Sequence, residues 1–232
     1  MKVAVIVPLG RPAEEERVLS VIEGQRDVDV FPVIVRDPGN PAAKRNLGIR
    51  RAAQMGADCW VSMDDDDAYG PRYVATMVKR PPGLHEVRFA PLRWVLYWDG
   101  LHRFQTMTPL GGALVGGRDV RFDERLTTGE DQDVVKRYNG VPVPNVPFVY
   151  VRTRKDHLVP PMQHLEIRAY GSSAQVIRYT ANTEALQAVL AGRRPEEARD
   201  PEGEHLVGKQ VPVPSDDDIF GDMERMAAWP VR

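Results

Sequence analysis

Apolar positions in the first eighty residues switch repeatedly between an unbroken run and a helical stripe. Val3 to Val7 is a continuous series of β-branched and small apolar residues, ended by Pro8, Gly10 and Pro12. A run without alternation fits a strand covered on both faces. From Ala13 to Gly24, the apolar residues Val18, Leu19, Val21 and Ile22 share one helical stripe. They follow the acidic turn Glu14-Glu15-Glu16, whose charge suits a helix N-terminus. Val30 to Val35 is a second apolar run, stopped by Asp37-Pro38-Gly39. Pro41 to Gly56 then predicts a helix with Ala43, Leu47, Ile49, Ala52 and Ala53 inward and Gly56 as its stop. Cys59 to Met63 reads as a short buried strand, and the next helix is expected from Pro71, a favoured first helical position. Alternating strands and helices predict a doubly wound α/β sheet, whose ligands bind outside the carboxyl ends of its strands.

After Arg80 the pattern becomes mixed. Val87 to Ala90, Leu92 to Trp98 and His102 to Thr106 read as shorter strands around an Asp99-Gly100 turn, a hairpin signal. Gly111-Gly112 and Gly116-Gly117 bracket a short apolar piece, Glu130 to Tyr138 predicts a helix, and Phe148 to Val151 a further strand. From about Pro160 the chain is less regular, apart from a helix over Thr183 to Leu190 stopped by Gly192. The expected organisation is a main domain over 1–160 and a helical or irregular C-terminal extension over 161–232. Within that extension, 193–214 is rich in charge, proline and glycine and reads as a flexible arm. Ile219 to Trp229 is a short amphipathic segment suited to docking on the body or on a second subunit, so a homo-oligomer formed through it is an expectation.

The strongest chemical signal is Asp64-Asp65-Asp66-Asp67, because it stands at the carboxyl end of a buried strand. Four adjacent carboxylates repel one another, and a cation offsets that repulsion. Mg²⁺ or Mn²⁺ takes oxygen ligands and uses one or two protein carboxylates together with substrate phosphates. An acidic run is otherwise a solvated turn, and Asp216-Asp217-Asp218, with no strand before it, reads that way. A second signal is Gly129-Glu130-Asp131-Gln132-Asp133 at a helix start, where a carboxylate can accept a proton from a hydroxyl. Acidic residues in a first helical turn are also common for electrostatic reasons alone. A third is Ala42-Ala43-Lys44-Arg45-Asn46-Leu47-Gly48, whose helix N-terminal amides and two cations suit a diphosphate, or simply a solvated face.

Taken in order, Val-Ile-Val-Pro, Arg-Asp-Pro-Gly, Ala-Lys-Arg-Asn-Leu-Gly-Ile, Met-Asp-Asp-Asp-Asp and Gly-Glu-Asp-Gln-Asp resemble the family 2 glycosyltransferases of the GT-A fold. The resemblance spans residues 2 to about 155. Its most specific parts are Arg45-Asn46-x-Gly48 followed by the aspartates, and Phe122-Asp123 followed by Glu130-Asp131. It implies a Rossmann-like, doubly wound mixed sheet and a metal-dependent, inverting transfer of sugar from a UDP- or GDP-sugar to a hydroxyl. By the same resemblance Pro8 closes the donor strand, Asp37 contacts the nucleobase and Arg45 lies by base or diphosphate. Asp64 and Asp66 look like the acids of the D-x-D motif, with Asp66 or Asp67 nearest the metal and the other toward ribose or sugar. Asp131 matches the catalytic base with Glu130 beside it, and Arg152 or His157 stands where relatives contact metal or diphosphate. Two departures are plain: Asp65 fills a slot more often small or neutral, and Arg36 stands where the family often has an acid.

Two other readings share parts of this pattern. A nucleotidyltransferase uses a similar sheet and acidic metal ligands but usually opens on a glycine-rich phosphate loop, and Pro8-Leu9-Gly10-Arg11-Pro12 is poor in glycine. A binding module would keep the metal and nucleotide pocket without turnover. The acceptor stays open among a glycan, a protein side chain, a small molecule and a modified DNA base. Trp94, Tyr97, Trp98 and Phe104 suit sugar stacking or a hydrophobic core equally. Arg152, Arg154, Lys155, Arg168 and Arg178 suit either a polyanion groove or a solvated surface.

Composition narrows the partners. Thirty-one basic against 33 acidic residues give a net charge of −2, so no global field draws the chain to nucleic acid or anionic membrane. The single cysteine, Cys59, excludes an internal disulfide framework. No apolar run reaches the roughly 20 residues of a membrane span, and the expected location is cytoplasmic.

Overall fold

The computed structural model describes residues 1–91, 94–97, 100–104, 113–151, 176–179, 183–193 and 206–207. They fall into two compact units, and the chain passes between them more than once. The first unit comprises Met1–Pro91, Pro109–Phe148 and Leu190–Gly192; the second takes Leu92–Thr108, Val149–Val189 and Arg193–Arg232. The division expected at about residue 160 lies outside the described residues, as do almost all of the expected arm and the Ile219 to Trp229 segment.

The first unit opens with strand β1 (Lys2–Pro8), a 3₁₀ turn (Pro12–Glu14) and helix α1 (Glu15–Glu23). Strand β2 (Asp29–Val35), helix α2 (Pro41–Gln54) and strand β3 (Cys59–Ser62) follow. β1 pairs in parallel with β2, from Lys2 opposite Asp29 to Pro8 opposite Val35, and with β3, from Val3 opposite Cys59 to Ile6 opposite Ser62. β1 is therefore central, as its unbroken apolar run requires. Successive side chains of a strand face opposite ways. Ala4 and Ile6 join a core with Ala42, Ile49 and Ala52 of α2, while Val3, Val5 and Val7 are buried on the other face.

Beyond β3 come the two-residue strand β4 (Ala68–Tyr69) and the short helix α3 (Tyr73–Met77). That helix begins two residues later than Pro71. The Tyr73 amide donates to the Gly70 carbonyl at 3.0 Å, which makes Pro71 the second residue of a β-turn rather than the first of a helix. Strand β5 (Val87–Phe89) follows, then β6 (Trp94–Tyr97) and β7 (Gly100–Phe104). β6 and β7 form the expected hairpin, but Tyr97 pairs with Gly100, which puts that glycine in the strand instead of the turn.

The chain then enters β8 (Leu114–Gly116), α4 (Glu130–Arg137) and β9 (Val141–Pro142). β8 lies antiparallel between β3 and β5, giving a mixed sheet of order β2-β1-β3-β8-β5-β9. This is the α/β, doubly wound mixed sheet the sequence leads one to expect. The second unit contains most of β10 (Phe148–Val151), β11 (Val176–Tyr179), α5 (Thr183–Leu190) and β12 (Leu206–Val207). Its sheet includes the run β12-β11-β7-β6-β10. Gly56 and Gly192 take positive φ after α2 and α5, as helix stops do. Among the described residues, no helix is long and apolar enough to cross a membrane.

Gly48 sets how closely α2 lies on the sheet, since a Cβ there would stand 2.4 Å from Ile6 Cγ2 and 3.3 Å from Val35 Cγ2. Ile6 is fully buried and stiff at its branched Cβ, so it cannot turn away. Gly48→Ala is expected to lose about 1–3 kcal/mol in urea unfolding, because overpacking outweighs the helix propensity gained. A variant as stable as the parent would mean that α2 shifts freely on β1.

Candidate functional site

Each of the four aspartates after β3 has its own surroundings. Met63 continues the strand by donating to the Ile6 carbonyl at 3.0 Å, and the Asp64 amide donates to the Tyr69 hydroxyl at 2.7 Å. Asp65 turns toward the loop after β1, where its Oδ2 accepts from the amides of Gly10 and Arg11, both at 2.7 Å. Arg17 of α1 donates to the Asp65 carbonyl at 2.6 Å and to the Asp67 carbonyl at 3.4 Å. The acidic turn is thus held by its backbone from two sides. Asp66 meets the Arg11 guanidinium at 3.1 Å, and the same guanidinium stands 3.7 Å from Asp65. Asp67 is buried.

Asp64 faces the opposite way, toward Arg45. That arginine is 4% exposed, sits in the second turn of α2, and divides its guanidinium between two acids. Nη2 donates to Asp64 Oδ1 at 2.7 Å, and Nη1 donates to Glu130 Oε1 at the start of α4. The guanidinium carbon also lies 5.6 Å from the Phe122 ring centroid. Burial works against the arginine's charge, but Asp64, Glu130 and Asp131 outweigh it and hold its pKa above the ordinary value. Burial is also the main influence on Asp64, pushing its pKa up to about 6. Arg45 opposes this, while Asp66, Glu130 and Asp131 add repulsion.

Asn46, the next residue, is 3% exposed and ties α2 to the segment that leads into α4. Its Oδ1 accepts from the Phe122 amide at 2.8 Å, and its Nδ2 donates to the Phe122 carbonyl and to Glu124 Oε1, both at 2.9 Å. Asn40 caps α2 by accepting from the Ala43 amide at 2.9 Å and donates to the Glu124 carbonyl at 2.7 Å. The residues of Arg45-Asn46-x-Gly48 therefore serve three ends: one joins two acidic segments, one fixes the approach to α4, and one seats the helix on β1. Gly129, at φ 72°, turns the chain into α4. Glu130 is buried against Arg45, and Asp131 is partly exposed with its Oδ1 accepting from the Gln132 amide at 2.8 Å.

The structure thus brings Asp64, Arg45 and Glu130 together and places Asp65 and Asp66 beside them in the turn. Pro8 ends β1 opposite Val35. Asp37 is paired with Arg51 through both oxygens, at 2.9 and 3.2 Å, and these hydrogen bonds hold its pKa below the usual range. Arg36 pairs with Glu15, and Lys44 donates to the Leu9 carbonyl at 2.6 Å. His157 and Arg152 lie outside the described residues, as do Arg154, Lys155, Arg168 and Trp98. Sequence reasoning missed Arg11, Arg17 and Tyr69. Arg11 carried a faint signal as a cation in the loop after the first strand, whereas Arg17 looked like an ordinary helix residue and Tyr69 stood in the unassigned stretch before Pro71.

Among the described residues, no group of three or more His, Cys, Asp or Glu side chains converges as a metal cage. The donors suit a hard cation that takes one or two carboxylates and completes its shell with phosphate and water. Asp66 fits best, since its carboxylate already accepts a cationic group, the Arg11 guanidinium.

No protein-family model matches the chain, and no curated protein matches it. Among solved structures, S. aureus TarS is similar over 65% of this chain and 60% of its 1–349 segment, at 16% identity and a TM-score of 0.45. A second TarS structure matches at 14% identity and TM-score 0.44, over 66% of this chain and 37% of that one. The chain spans less than two thirds of either. A nucleotidyl transferase from Methanothermobacter thermautotroptrophicus matches at 17% identity and TM-score 0.34, over 62% of this chain and 88% of that one. Likeness of this degree carries no weight for activity.

The electrostatics of Asp64 have a measurable consequence. A carboxyl whose folded pKa is raised from 3.8 to about 6 adds stability below pH 4 and loses it as pH rises through 6. Asp64→Asn, which lacks the titrating group, is expected to gain stability relative to the parent between pH 4 and 7 in urea unfolding. Parallel curves, or a parent that gains on the variant, would refute this.

Proposed function

We propose that the chain transfers a sugar from a nucleoside-diphosphate sugar to a hydroxyl acceptor, with Mn²⁺ or Mg²⁺ as cofactor. One observation carries this reading: Arg45 links the acidic turn after β3 to the acidic start of α4, beside the carboxyl ends of parallel strands. That is where an open α/β sheet binds its ligands. Asp66, with Asp64 or Asp67 beside it, would hold the cation. When bound, the cation would neutralise charge on the departing diphosphate.

The remaining work falls to the protein's own side chains. Glu130 is committed to Arg45, which leaves the more exposed Asp131 as the base. Asp131 takes the proton of the acceptor hydroxyl as that oxygen bonds to the anomeric carbon. The bond from that carbon to the diphosphate oxygen breaks, its electron pair leaves with the nucleoside diphosphate, and configuration inverts. The Gly10 and Arg11 amides are already bonded to Asp65, so the loop after β1 does not offer them to a nucleoside triphosphate. This favours sugar transfer over nucleotidyl transfer.

The test is nucleoside diphosphate release from a panel of UDP- and GDP-sugars with Mn²⁺. At least one donor is expected to turn over, with water as the fallback acceptor. Asp131→Asn should lower that rate by about 10²–10⁴ while donor binding, measured by calorimetry, is retained. Pyrophosphate release from a nucleoside triphosphate, or an Asp131→Asn variant with normal turnover, would contradict the proposal.

A further inference from the structure

The Arg11 guanidinium sits on the acidic turn itself. It meets Asp66 Oδ2 at 3.1 Å and Asp65 Oδ1 at 3.7 Å, with both carboxylates largely shielded from solvent. Its backbone is fixed: the Leu9 amide donates to the Val35 carbonyl at 3.1 Å, and the Gly10 and Arg11 amides are bonded to Asp65. The side chain lies near the surface. It is 21% exposed and lies between the exposed residues Gly10 and Pro12, at the entry to the 3₁₀ turn. The two acids also depend on it differently. Asp65 keeps its two amide donors whatever the guanidinium does, whereas the Arg11 guanidinium supplies a positive charge directly to Asp66.

A guanidinium cannot give up its proton, so it can vacate a carboxylate only by rotating away. A divalent ion is more compact, carries twice the charge and takes the same oxygens. We propose that Arg11 is a tethered counter-cation at Asp66, displaced when a divalent ion binds there and then free to meet the diphosphate oxygens of the donor. This rests on the proposed function for the identity of the donor. It adds that the protein supplies its own cation to the acidic turn, which lowers the affinity for metal in the absence of nucleotide. Planar guanidinium donors match phosphate oxygens well, so the released side chain has a partner to move to.

The test uses the full chain and MnCl₂ alone, with bound and free Mn²⁺ separated by electron paramagnetic resonance. Arg11→Met keeps the length of the side chain and the backbone amides that anchor Asp65. It is expected to bind Mn²⁺ about fivefold or more tightly than the parent, the scale of a partly buried ion pair that no longer has to be broken. In the Arg11→Met/Asp66→Asn double variant that gain should disappear, and far-ultraviolet circular dichroism of all three proteins should coincide. Equal or weaker Mn²⁺ binding by Arg11→Met would overturn the role of Arg11 and leave the proposed function standing. Retention of the gain in the double variant would overturn it too, by moving the ion away from Asp66. If parent and variant both fail to bind Mn²⁺, with or without UDP and GDP, the cation site itself falls, and this role falls with it.

Discussion

A buried guanidinium keeps its charge, so the surroundings of Arg45 must balance it. The chain does this with two carboxylates from distant parts of the sequence, Asp64 after β3 and Glu130 at the head of α4. Neither acid alone would suffice. With one acid gone, one of the two Nη groups would lose its acceptor in a buried site, where breaking an ion pair costs about 3–5 kcal/mol. The double pairing fixes three elements against one another. It also leaves the site with more negative than positive charge, since Asp66 and Asp131 both act on Asp64 alongside Glu130. That surplus is why a further cation is a chemically reasonable guest.

The rest of the site follows from the same economy. Asp65 is used within the protein, bonded to the loop after β1, and Arg17 holds the carbonyls of the acidic turn from α1. Asn46 pairs with both backbone groups of Phe122, much as a neighbouring strand would, and so carries the position of α2 into the segment before α4. Gly48 lets α2 approach Ile6 closely enough for Arg45 and Asn46 to reach their partners. Three residues within four positions of one helix therefore hold in place groups drawn from β1, β3 and α4. The acids that do the proposed chemistry are supported by side chains that do none.

Much of this frame was legible in the sequence because it is written in local periodicity. The runs that became β1, β2 and β3 and the stripes that became α1, α2, α4 and α5 depend on neighbours within a few positions. The acidic turn and the start of α4 could be located for the same reason. What stayed hidden is long-range. Asp65 reaches back to Gly10 and Arg45 forward to Glu130, and no local pattern records such pairings. Short strands such as β8 and β9 owe their existence to partners elsewhere in the sheet, and Pro71 was misread because a proline serves a turn and a helix start equally well. Asp37 is a nucleobase contact by resemblance, and its pairing with Arg51 of α2 through both oxygens is a further long-range link that no local pattern shows.

Arg45 makes the two acidic segments one site, and a double-mutant cycle on folding stability tests that coupling most directly. Asp64→Asn and Glu130→Gln, singly and together, are expected to depart from additivity by about 1 kcal/mol or more, as residues sharing a partner do. The departure should vanish when the cycle is repeated on Arg45→Met. Additivity within about 0.3–0.5 kcal/mol in the parent background would show that Asp64 and Glu130 do not sense each other, and would contradict a single site.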